Sequence, residues 1–117
     1  MNAVEFVAVI EKFVRDASVA DSLSIVRNPP GRRPPPELVK LSEWYNRLGG
    51  SDQAMVERML EVVARQAVFG FLSVLDGARQ VEPGEGPKGD FELRYIKDGK
   101  AEVISGPSVE ALHELLR

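Results

Sequence analysis

The side chains able to do chemistry in this chain are few: one histidine, His113, and eighteen carboxylates, with no cysteine anywhere in the 117 residues. Without cysteine there is no thiolate nucleophile, no disulfide and no sulfur ligand for zinc. A lone histidine does not make a zinc site, and no HExxH pattern occurs. GxSxG and SxxK are absent too, and no second histidine stands ready as a base, so nucleophilic catalysis has no signature. The carboxylates can be paired on paper, but they fall on polar helix faces and in loops, where such groups titrate normally. A nonenzymatic protein is expected, with no catalytic residue, no metal and no cofactor.

One carboxylate breaks a local rule. Asp76 closes an apolar helical run beside Gly77, at the negative end of the helix dipole, where a carboxylate is disfavoured. Asp-Gly is common turn chemistry, so the side chain reads as a turn former bonded to nearby backbone N–H groups. A cation, or Arg79, is the other partner the sequence offers.

The element that must carry Asp76 is the stretch from Ser51 to Gly77, and the rest of the chain is organised around it. Ser51 is the expected N-cap, with Asp52 in the positive first turn and no proline before Pro83. Met55, Met59, Val62 and Val63 follow helical spacing, and Ala67 to Leu75 is apolar except for Ser73, so that half needs cover nearly all round. Arg65 and Gln66 interrupt the run, which favours a buried core helix over a membrane span. Gly70, between two phenylalanines, predicts the close approach of another element, such as the hairpin, or else a kink.

Amphipathic helices should surround this one. Asn2 and Glu5 form a capping-box pattern ahead of a helix over about 3–17, whose apolar arc (Phe6, Val7, Ile10, Phe13, Val14, Ala17) faces the core. Residues 18–26 read as helix or strand, with a continued helix favoured. Pro36 starts a helix striped with Leu38, Leu41, Trp44, Tyr45 and Leu48, in which the two aromatics anchor it on the central helix. Residues 91–104 form a β-hairpin about Asp98-Gly99. A two-residue turn would set Tyr95 against Glu102; a three-residue loop, which pairs Leu93 with Val103 and Arg94 with Glu102, sorts the side chains better and is the expected register. Ser108 then caps a last helix that packs through Val109, Leu112, Leu115 and Leu116. The fold class is α+β, mainly helical, in a single domain over 1–117.

Two loops join these elements. NPPGRRPPP, residues 28–36, lacks N–H donors at its prolines and is a semi-rigid crossover without a PxxP register. Residues 82–90 form an exposed, flexible Gly- and acid-rich loop that lacks the GxxxxGK[ST] phosphate cradle. Arg32 and Arg33 in the first, and Glu82, Glu85 and Asp90 in the second, are the candidate partner-binding residues. A net charge of −3 and the lack of a helix clustering Arg, Lys, Asn or Gln argue against nucleic acid. Early charges (Glu5, Glu11, Lys12, Arg15) are foreign to a signal-peptide core, so a cytoplasmic location away from membranes is expected.

The strings LSEWYNRL, FGFLSVLDG, FELRY and LHELL, spanning Leu38 to Leu116, resemble a group of small bacterial proteins, some of them immunity or antitoxin partners of toxins. The resemblance implies a protein-binding role and carries over no functional residue. The expected function is a small protein-binding module of this immunity type. The alternatives are a small-molecule-binding domain, with a pocket between Trp44, Tyr45, Asp76 and the 69–72 segment, and a structural homodimer.

Overall fold

The computed structural model describes all 117 residues. The chain opens on α1 (Ala3–Ile10), passes through a π-helical turn (Glu11–Asp16) and continues as α2 (Ala17–Arg27), forming one unbroken helical rod. The capping box is present: the Glu5 N–H donates to Asn2 Oδ1 at 2.9 Å, and the Glu5 side chain accepts from the Asn2 N–H. The π turn overturns part of the expected apolar arc. Ala17 N–H reaches back five residues to Lys12 O, so the helix is locally wider and the side chains after Ile10 rotate out of α register. Phe13 is 65% exposed as a result, and Val14 is exposed as well.

After the proline loop come α3 (Pro36–Arg47) and α4 (Gly50–Leu75). The proline at the start of α3 has no N–H to leave unbonded there. Gly49, not Ser51, occupies the capping position of α4, with extended backbone and no side-chain cap. Then follow β1 (Leu93–Lys97), β2 (Lys100–Ser105) and a short α5 (Leu112–Leu115). α3 packs on α2; α4 runs along α2 and the π turn; α5 lies against α4 and α1, and β2 touches α1. No helix is long and apolar enough to cross a membrane.

The core gathers where these elements meet, around the second half of α4. Val7, Val68, Leu72, Ile104, Leu112 and Leu116 form one buried cluster, with Phe6, Ile10, Phe69, Leu93 and Tyr95 packed around it. Coverage of α4 is not complete all round, because Phe71 stays 64% exposed.

The hairpin takes the register that was not expected. Tyr95 faces Glu102, Arg94 faces Val103 and Lys97 faces Lys100 across a two-residue turn. Asp98 (φ +52°) and Gly99 (φ +75°) are both left-handed, the condition for a type I′ turn whose twist matches the strands. Turn geometry therefore outweighs the cross-strand ion pair, and Arg94 pairs with Glu92 on its own strand side instead. A bulge between Leu93 and Arg94 puts one extra residue into β2, and Ile104 and Ser105 are both buried there.

Gly70 does mark a close approach, though not by the hairpin. A methyl group built there would stand 2.7 Å from a terminal nitrogen of Arg79, whose guanidinium lies over the helix. Because that obstacle is the end of a flexible side chain, Gly70→Ala should be neutral or stabilising by up to ~1 kcal/mol, from helix propensity. Thermal unfolding checks it, with Gly70→Leu expected to destabilise.

Candidate functional site

Asp76 is the most connected polar group in the protein. Its side chain is 3% exposed and sits just past the end of α4. Oδ1 accepts from the Leu112 N–H at 2.8 Å and from Ser105 Oγ at 3.2 Å. Oδ2 accepts from the His113 N–H at 2.8 Å and lies 2.7 Å from His113 Nδ1. Since the ionised carboxylate only accepts, Nδ1 is the donor of this bond. The His113 ring stands edge-on to Phe69, with centroids 5.5 Å apart at 88°.

Four donors around one buried carboxylate set its charge state. Burial pushes the Asp76 pKa up, but the His113 and Leu112 N–H groups, the imidazole and the Ser105 hydroxyl together hold it below the ordinary value of 3.8. The negative end of the α4 dipole is thereby answered by the positive start of α5. This corrects both the expected turn-former role and the expected Ser108 cap. The backbone N–H groups that Asp76 bonds belong to α5, 36 and 37 residues downstream. Because Asp76 supplies that cap, α5 starts at Leu112, and Val109 lies outside it and exposed.

The Asp76–His113 pair has the first half of a triad's geometry, with the carboxylate 3% and the imidazole 19% exposed. Ser105 Oγ is bonded to Asp76 Oδ1 and lies 3.4 Å from Leu75 O, on the carboxylate side of the pair rather than beyond the imidazole. The arrangement clamps the end of α4, the end of β2 and the start of α5 to one another.

The remaining candidates are dispersed. Tyr45 is buried between α2 and α3, where its hydroxyl accepts from Arg27 Nη2 at 3.3 Å, whereas Trp44 on the same helix is 47% exposed. The backbone carbonyl of Tyr45 accepts from Gln53 at the start of α4, and 1.5 Å per residue carries Asp76 roughly 35 Å from there. Trp44, Tyr45 and Asp76 are thus not brought together, and of the 69–72 segment Phe69 and Leu72 pack in the core while Phe71 is exposed. Arg32 and Arg33 are exposed in the proline loop. Glu82 accepts from the Gly89 N–H at 3.3 Å, and Lys88 donates to the carbonyls of Pro83 and Gly84, so the 82–90 loop is closed on itself. Glu82 and Asp90 line a small cleft with Arg79 and Lys88, while Glu85 is exposed on the same loop.

The feature that sequence reasoning undervalued lies on α4. Met55, Met59, Val62 and Val63 are 58%, 67%, 61% and 59% exposed over little more than two turns. Beside them an open groove of about 320 Å³ runs between the first helical rod and α4, bounded by Ile10, Val14, Val63, Ala64, Ala67 and Phe71. The signal was present in the periodicity, which marks an apolar stripe without saying whether the same chain covers it. Comparison with protein-family models, curated proteins and solved structures gives no match for this chain.

Proposed function

We propose that this protein is a nonenzymatic protein-binding module that docks through the apolar face of α4. The observation that carries the reading is the exposed stripe of Met55, Met59, Val62 and Val63, contiguous with the groove beside Val63. Isolated surface hydrophobes are ordinary, but a continuous apolar face flanked by charged residues is characteristic of a binding surface. Arg58, Glu61 and Arg65 lie on the same exposed stretch and supply a polar rim. Two methionines suit such a role, because their flexible thioether chains adapt to a partner's shape. The hydrogen bonds by which Asp76 ties His113, Leu112 and Ser105 together support a structural use of the one histidine.

The test is affinity capture with the wild type and a Met59→Glu/Val63→Glu variant that retains its circular dichroism spectrum. A protein partner held by the wild type and lost by the variant supports the reading. A partner held equally by both contradicts the assignment of the face.

A further inference from the structure

We propose that the occupant of the α4 face is a second copy of this chain, packed about a two-fold axis as an obligate homodimer; this rests on the reading of α4 as a docking face. The chain exposes more surface than its mass accounts for. A compact monomer of 12.9 kDa exposes roughly 6,300 Å², whereas this chain exposes 8580 Å², an excess of about 2,300 Å². The radius of gyration is 18.6 Å, against roughly 13 Å for a compact domain of this length. An obligate homodimer buries about 1,000–2,500 Å² on each partner, the size of this excess.

Composition of the bare surface points the same way. Of the large hydrophobic side chains that are more than a third exposed, Met55, Met59, Val62, Val63 and Phe71 lie on α4 and Val14 lies across the groove from them, so part of the surplus surface belongs to this face. A core this small relative to the exposed apolar surface calls for cover whenever the chain is folded. A second copy meets that need, because it is present wherever the chain is. An occasional partner would leave the face in water most of the time.

The face also has the self-complementarity that a two-fold contact requires, in which knob and hole must lie on one surface. Val63 sits at the middle, Met59 one turn before it and Ala67 one turn after it. Two α4 helices passing antiparallel with the axis at Val63 set Met59 of each copy against the partner's Ala67. The large side chain then enters the groove that Ala64 and Ala67 leave open.

Sedimentation equilibrium of the wild-type chain tests this, with thermal unfolding across the same concentrations. The expected mass is twice 12.9 kDa, with a melting temperature that rises from low micromolar to ~100 µM protein. Met59→Glu/Val63→Glu should weaken association by about a hundredfold or more, because two carboxylates would be buried without partners. If that variant does not fold, the concentration dependence of the wild-type melting temperature still decides. A wild-type mass of 12.9 kDa throughout, with a constant melting temperature, overturns the second copy. In that case, capture of an unlike protein that Met59→Glu/Val63→Glu abolishes would keep α4 as a docking face, and capture that it leaves unchanged would overturn both.

Discussion

Asp76→Ala lowers the melting temperature by ~10–15 °C at fixed protein concentration, a loss of about 3 kcal/mol or more. The substitution removes the acceptor for the Leu112 and His113 N–H groups, for the His113 imidazole and for the Ser105 hydroxyl at once. Each donor is partly or wholly buried, so water does not freely replace the lost oxygen. Asp76→Asn should recover part of the loss, since its carbonyl still accepts, but its amide NH₂ faces other donors. The same carboxylate gives stability a pH dependence. Its pKa is lower folded than unfolded, so its contribution is complete above 3.8 and is lost as pH falls through the depressed folded value. Acid unfolding of wild type should therefore steepen below about pH 4, and the Asp76→Asn protein should lose that part of the slope. Parallel acid titrations followed by circular dichroism measure the difference, and superimposable slopes would show that Asp76 bears no differential charge.

Leu112→Ala should be of similar severity, at ~3–5 kcal/mol, whereas Val109→Ala should stay within about 0.5 kcal/mol. Leu112 is 0% exposed and belongs to the cluster with Val7, Leu72 and Ile104, while Val109 is 36% exposed. The contrast follows from where α5 begins. Had Ser108 capped the helix, both residues would share its packing face and both truncations would be costly. Denaturant melts of the two variants against wild type decide it, and a Val109→Ala loss near that of Leu112→Ala would place the start of the helix earlier.

The helices were legible because their determinants are local. The Asn2–Glu5 capping box, the apolar spacing of α4 and the proline that opens α3 each act within one or two turns. Asp76 was legible as an anomaly, a carboxylate at the wrong end of a dipole, but its partners were not. They lie 29 to 37 residues downstream, and nothing near Asp76 in sequence announces them. The hairpin register turned on whether side-chain sorting or turn backbone prevails, and the left-handed pair Asp98–Gly99 decided it. The π turn at Glu11–Asp16 has no pattern in residue types, yet it carries Phe13 out of the core. The exposed half of α4 was misjudged for a related reason. Periodicity identifies a face to be covered, and the covering surface need not belong to the same chain.

The coverage of that face can be read from a single thiol. The natural chain has no cysteine, so Val63→Cys introduces the only one, at a position 59% exposed in the isolated chain. Its rate of reaction with an aromatic disulfide reagent should fall steeply as protein concentration rises, since in the proposed homodimer the second copy covers Val63. The thiol of Arg33→Cys, on the proline loop, should react at a constant rate throughout. Equal and concentration-independent rates at the two positions would contradict the account, since they would mean that the α4 face stays open to water.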